Sequence, residues 1–312
     1  MIEKLRIDLM GKKYWWFAFS GLIIIVGLIS LATRGLNLSI DFKGGSRLTT
    51  KFVSAPNVDQ VRNIVGAAGY PDAVVQTVSG GRYQVTLPAL QENQQQALVK
   101  TLDSKLHVTE TSWDVVGPTF GRQVADAMLK AVFLAWAIII IYVSFRFEFK
   151  SSVATLVALI HDLLITVGVY SIVGREVTTA TVAAVLTILG YSLYDTIIVF
   201  DRIRENAPKA RRGAYADMVN NSVWEVMTRS IITSLLTLMP VIALLIFGGQ
   251  TLKDFAFALL VGISSGAYSS IFVAAPLLTL WKEREKRYRP PVPKAKKAKA
   301  KAKSKVKTAK AR

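Results

Sequence analysis

Six apolar stretches, each long enough to cross a bilayer, leave this chain few folds to adopt. They are Tyr14–Ala32, Met128–Phe145, Val153–Val173, Thr178–Phe200, Ser230–Phe247 and Phe255–Trp281. A helix of about 20 residues spans the ~30 Å hydrocarbon core. Inside lipid the backbone must satisfy its own hydrogen bonds, which leaves the helix as the default. The sequence therefore predicts an α-helical polytopic membrane protein with six transmembrane helices. A 52% hydrophobic content over 312 residues agrees with this. The first stretch is too long for a signal-peptide core and runs into Leu31-Ala32-Thr33-Arg34 without a small-residue cleavage site. It is expected to stay as an anchor.

Lysine and arginine set the orientation, since they favour the cytoplasmic side of short loops. Lys4, Arg6, Lys12 and Lys13 precede the first span, Arg146 and Lys150 lie between the second and third, and Arg202, Arg204, Lys209, Arg211 and Arg212 lie between the fourth and fifth. The opposite side has only Arg175 and Lys253 in its short loops. Both termini are thus expected in the cytoplasm of a cell (inner, cytoplasmic) membrane protein. The order is a cytoplasmic N-terminus (1–13), span one (14–33), an exported domain (34–126), a five-span bundle (127–281) and a basic tail (282–312). That tail holds 15 Lys/Arg and carries +13 of the net charge of +18. Its Lys-Ala alternation cannot bury a core and is expected to be disordered. Beside a membrane it is placed for anionic lipid, with RNA phosphate as the other reading.

The exported segment alternates in short apolar runs. Leu48–Val53, Ala73–Val78, Arg82–Leu87 and Val108–Val116 read as strands. Asn57–Ala68 reads as a helix with Asn57 as N-cap, and Gln91–Leu106 as a second with Leu98 and Leu102 inward. The order β-α-β-β-α-β is that of a ferredoxin-like split βαβ module. It suits a binding or docking domain, and its His107 is expected to be an exposed strand-start residue. Two glycine-bearing joints flank it. Asp41-Phe42-Lys43-Gly44-Gly45 reads as a structural junction after span one. Gly117-Pro118 before span two reads equally as a hinge or a fixed corner.

Ionisable residues inside the apolar stretches cost about 2.5–3.5 kcal/mol each and normally face a partner or a cavity. Asp195 lies six residues before Asp201, roughly 9 Å of helix rise, so it sits below the surface that Asp201 marks. His161 and Asp162 lie at comparable depth in span three. Span five opens on Thr228-Arg229-Ser230. Arg229 either snorkels to lipid phosphate or turns inward to compensate Asp195. An inward pair makes a proton site, since low dielectric favours a protonated carboxyl and a guanidinium favours release. It also makes a static ion pair that sets helix register. For His161-Asp162 the readings are a proton relay and a hydrogen-bonded structural pair. Gly262 and Gly266 form a small-xxx-small stripe for close helix packing, and Pro240 is expected to kink span five. With no cysteine, no nucleophile–base set, no phosphate loop and no metal-ligand spacing, the chain reads as neither enzyme nor cofactor carrier.

These residues together carry a resemblance. Asp41-Phe42-Lys43-Gly44-Gly45, Val116-Gly117-Pro118, His161-Asp162, and Gly190-Tyr191-Ser192-Leu193-Tyr194-Asp195 through Asp201-Arg202-Ile203-Arg204-Glu205-Asn206 resemble the SecD/SecF family of the resistance-nodulation-division superfamily. The span-four stretch is the most specific, and the likeness runs from Met1 to about Trp281. It implies a subunit of the bacterial export machinery that uses the proton motive force to promote late-stage preprotein export. Implied partners are SecD, the SecYEG channel and preproteins, with YajC and YidC as further ones. Carried over by position, the family's essential carboxylate matches Asp195 and its functional arginine matches Arg229. Tyr194 departs from the family pattern, which has asparagine there, and is expected to crowd a proton path at Asp195. A static assembly scaffold and a small-molecule efflux subunit are the competing readings.

Overall fold

The computed structural model describes residues 7–78, 80–210, 214–285 and 287–288. Most of the basic tail lies outside the described residues, as do Lys4, Arg6, Arg211 and Arg212. Six helices are long and apolar enough to cross a membrane, and the protein is a multi-pass membrane protein. In chain order the elements are α1 (Lys13–Arg34), β1 (Asn37–Leu38), α2 (Ile40–Lys43), β2 (Gly45–Phe52), α3 (Val58–Ala67), β3 (Val74–Val78), β4 (Arg82–Leu87), α4 (Glu92–Leu106) and β5 (Val108–Val116). There follow α5 (Pro118–Arg146), α6 (Phe149–Val173), β6 (Glu176–Val177), α7 (Thr179–Asn206), α8 (Tyr215–Phe247) and α9 (Gln250–Ser269). A π-helical turn (Ser270–Ala274) then joins α9 to α10 (Ala275–Lys282). The end of the bundle carrying the α+β domain is called outer below, and the opposite end inner.

The α+β domain follows its alternation closely. Its antiparallel sheet has the order β3-β4-β2-β5, and α3 and α4 cover one face. Leu48, Phe52, Val61, Val65, Val85, Leu98 and Leu102 make its core. Asn57 caps α3, and Gln60 returns a hydrogen bond to the cap backbone. Each side chain satisfies one free N–H of the helix start. His107 is exposed and ends α4 at a φ of 51°.

Two helices extend beyond the apolar windows that mark their spans. The helix of span two begins at Pro118, directly after β5, so residues 118–126 are helical. Proline suits this first turn because its missing N–H has no intrahelical acceptor there. The helix of span five begins at Tyr215, well before the apolar window. Its first four turns are polar on one side, but Tyr215, Val219 and Val223 are buried with Leu9 and Met10 at the inner end. The helix also runs through Pro240 to Phe247 without interruption.

The bundle has two apolar cores. An inner one gathers Leu159, Val199, Phe200, Ile203, Val219, Val223 and Leu278. An outer one gathers Tyr170, Ala184, Ile188, Val241, Leu259 and Ile263. Small residues set the close approaches. Gly262 of α9 faces Ile188, and a Cβ on Gly266 would lie 3.0 Å from Ser192 Cβ. A Cβ on Gly27 of α1 would lie 2.9 Å from Gly168 Cα in α6. The small-xxx-small stripe thus seats α9 on α7, the helix bearing Asp195.

Candidate functional site

Between the two cores lies a buried polar layer. Asp162 (0% exposed) comes from α6, Ser192 and Asp195 (2% exposed) from α7, Ser230 from α8, and Ser265 and Ser269 from α9. Helical spacing builds it. Ser192 and Asp195 share a face of α7 as an i, i+3 pair, and Ser265 and Ser269 share a face of α9 as an i, i+4 pair.

The two carboxylates are treated differently. Asp162 accepts hydrogen bonds from Ser192 at 2.5 Å, Ser265 at 2.6 Å and Ser269 at 2.8 Å. His161 Nδ1 lies 3.1 Å from its Oδ1. Two neighbouring helices, α7 and α9, thus supply hydroxyl donors to one carboxylate of α6, which balances its loss of water. The His161 ring stacks on Tyr268 at 6.1 Å, and its buried Nε2 has no partner among the described residues. Asp195 receives a hydrogen bond from Ser230 on Oδ1. Its Oδ2 is buried without a hydrogen-bond partner among the described residues, as is Ser234 Oγ one turn along α8. The neighbouring Thr196 bonds Ser270 at 2.9 Å, at the start of the π-helical turn. Such turns widen a helix locally and recur at functional positions.

Arg229 does not compensate Asp195. It is exposed on the outward side of α8, and no ion pair joins it to any described residue. Each helical residue turns the face by 100°, so with Ser230 and Ser234 inward the guanidinium points away. The hydroxyl next to it in sequence makes the contact instead. Tyr194 is 52% exposed and also faces out of the bundle, so it does not crowd Asp195. Gly190 is exposed, and no atom lies close enough to require a glycine there.

The glycine pair serves the outer end. Gly44 and Gly45 have φ of +74° and +143°, and a Cβ on Gly44 would lie 2.7 Å from Pro118 Cα. Gly117-Pro118 is therefore a packed corner in this structure. Asp41 Oδ2 accepts from Thr179 N at 3.0 Å and Thr179 Oγ1 at 3.2 Å, a second cap on the start of α7 beside its N-cap Thr178, which accepts from Thr181 N. β1 pairs in parallel with β6, and Arg47 meets Glu176 at 2.5 Å. Burial pushes the Glu176 carboxyl above its ordinary range, against the pull of Arg47. None of these contacts was legible in sequence, because each joins segments far apart along the chain. Ser192 and Ser230 stood in the span-four and span-five stretches, and Ser265 and Ser269 beside the small-residue stripe, but none was legible there as a partner of a carboxylate. Among the described residues no group of three or more His, Cys, Asp or Glu converges as a metal site.

Residues 94–284 match the family described as protein export membrane protein SecD/SecF, C-terminal, and residues 29–55 match the SecD/SecF GG motif. The chain is 37% identical to protein translocase subunit SecF of Streptomyces coelicolor, over 90% of this chain and 78% of that one. The chain belongs to the SecD/SecF family. A SecF subunit from Thermodesulfovibrio yellowstonii is 38% identical over 90% of this chain and 96% of its own length. The crystal structure of SecDF, a translocon-associated membrane protein from Thermus thermophilus, superposes with a TM-score of 0.83 at 38% identity, covering 89% of this chain. A super-membrane-facing form of SecDF superposes at 0.67, with 36% identity over 94% of this chain. The chain spans about two-fifths of those SecDF chains, 39% and 40% respectively.

Proposed function

We propose that this chain is an accessory subunit of the Sec preprotein translocase, in which Asp195 loads and unloads a proton to drive late-stage export. The reading places both termini in the cytoplasm and takes SecD as the partner that completes the membrane half, with the SecYEG channel as the path of the preprotein. Its support is one observation in a family context. Asp195 has one carboxylate oxygen held by Ser230 and the other buried with no hydrogen-bond partner among the described residues, in a chain whose relatives are named translocase subunits. An under-coordinated buried carboxylate gains most from taking up a proton, which satisfies an oxygen that the protein leaves bare. Asp162 is the fixed member of the pair, since its hydroxyl shell has no such deficit and ties three helices together.

Arg229 takes a different part from the one its sequence position implies. It lies one residue from Ser230, and so at the depth of Asp195, yet faces out of the chain. A cation at that depth is costly unless paired. The SecDF relative carries more than twice this chain's length in one polypeptide, and the outward face of α8 is the proposed seat of a SecD partner. SecD is thus the proposed source of a counter-charge for Arg229.

The test is Asp195→Asn in the chain co-reconstituted with a SecD partner. Assembly is expected to persist while proton-dependent export is lost. Normal export by that variant would defeat the proposal and leave a static scaffold in its place.

A further inference from the structure

The glycine-pair segment is far from the buried carboxylates, yet it makes most of the contacts between the α+β domain and the bundle. Asp41 caps α7 through Thr179, as described above. Ser39 N donates to Val177 O at 3.0 Å, Asn37 Nδ2 to Gly174 O at 3.3 Å, and Ser171 Oγ to Gly35 O at 2.9 Å. Arg47, at the start of the domain's central strand β2, pairs with Glu176. The same segment is wedged from the other side, where a Cβ on Gly121 of α5 would lie 2.9 Å from Gly44 N. Backbone pairing, a helix cap, an ion pair and a glycine contact therefore converge within a dozen residues. Together they hold the domain to the outer ends of α5, α6 and α7 and to the loop before α7, where Asp41 is the tie to α7 itself. From Thr179 to Asp195 the helix is unbroken, a rigid rod of roughly 24 Å at 1.5 Å per residue.

We infer that residues 37–47 are a latch that fixes the α+β domain to the outer end of α7, so that a displacement of α7 at Asp195 reaches the domain as rigid-body motion. Asp41, Arg47 and Glu176 are its positioning residues. The latch rests on the contacts alone, and its role in transmission rests on the proton reading of Asp195. The conformation of Gly44 and Gly45 follows from the same role. The chain must turn sharply between the cap at Asp41 and the strand at Arg47 while Pro118 packs against it, and only glycine combines those φ values with that proximity.

The chain has no cysteine, so two spin labels placed at Val53 (72% exposed) and Leu252 (49% exposed) report the domain-to-bundle distance in the full chain in lipid nanodiscs. With the latch intact the distance distribution is expected to be single and narrow. Asp41→Ala combined with Glu176→Ala should raise the undocked fraction at least about fivefold, the change expected from losing one charge-assisted hydrogen bond. Asp41→Asn keeps an acceptor oxygen and should preserve the narrow distribution. So should the exchange of Arg47→Glu with Glu176→Arg, which restores the ion pair. A narrow distribution in the double-alanine variant would overturn the latch. For transmission, Asp195→Asn is expected to shift the mean distance with the latch intact and not with it cut. A shift that survives cutting overturns transmission. No shift even with the latch intact overturns transmission and the proton reading together, while the latch still stands or falls on the width.

Discussion

Asp162 and Asp195 lie in the same buried layer, and what separates them is the number of hydroxyls each can reach. Hydrogen bonds to a charged group contribute about 1.5–3 kcal/mol each, so three serines make Asp162 a strong tie between α6, α7 and α9. Asp162→Asn is expected to lower the stability of the purified chain by about 2 kcal/mol, and Asp162→Ala by more, because the serine hydroxyls lose a charged acceptor. Arg229→Ala, which removes an exposed side chain, is expected to stay within about 0.5 kcal/mol of the parent. Thermal or denaturant unfolding in detergent checks both, and equal losses at the two positions would refute the assignment. The same contrast explains why charge complementarity misled at Arg229. It correctly identified a carboxylate in need of a partner, but a serine hydroxyl met part of that need.

Among the elements, α7 is the one on which the rest converge. Its start is capped by Asp41, its middle carries Asp195 and donates Ser192 to Asp162, and its inner end brings Asp201 to within 2.6 Å of Arg146. Its glycine neighbours make a paired test. Gly262→Leu forces a side chain into Ile188 across the α7–α9 contact and should cost about 1–3 kcal/mol by overpacking. Gly190→Ala meets no atom and gains helix propensity, so stability should hold or rise by up to ~1 kcal/mol. Unfolding midpoints decide between these outcomes. A destabilised Gly190→Ala would show that something packs on that face which the isolated chain does not contain. Element identity was largely legible beforehand. The strands and both helices of the α+β domain followed from two-residue and 3.6-residue periodicity, because half-buried surfaces impose those periods. The long inner extension of α8 was less so, since its buried face is covered by other parts of this chain and carries no continuous apolar run.

At the scale of the whole molecule, distant segments close the inner end. Lys13 meets Glu283 at 3.3 Å, Lys150 meets Glu285 at 2.8 Å, and Lys282 pairs with Glu148. Tyr288 packs on Tyr215 with ring centroids 4.4 Å apart. The segment after α10 thus crosses back over the inner ends of α1, α6 and α8. Partial burial would raise the Glu285 carboxyl, but the hydrogen bond from Lys150 and the charges of Lys282 and Lys150 outweigh it and hold Glu285 below its ordinary value. A lowered carboxyl contributes stability above its unfolded value and loses it as the pH falls through the folded one. The protection of amides 283–285 against hydrogen exchange, taken relative to the intrinsic rate at each pH, is therefore expected to fall as the pH drops below 4.5, the ordinary glutamate value. Lys150→Ala moves the folded value back toward the ordinary one and should shrink that pH-dependent loss. Protection that ignores both pH and the Lys150 substitution would show that the segment after α10 is not held by these pairs.

The sequence by itself determined that this chain has six helices long and apolar enough to cross a membrane, which module interrupts them, and how far along its helix each buried acid lies. Those quantities depend on composition along the chain and on a fixed rise per residue. Which way each side chain points was decided only by tertiary packing. A single step along a helix rotates the side chain by 100°, and the phase of α8 is chosen by Val223, Met227 and Ser234 packing inward. That choice put Ser230 on Asp195 and turned Arg229 outward. The union of Asp41 with Thr179 was likewise invisible until the fold brought the ends of two spans together.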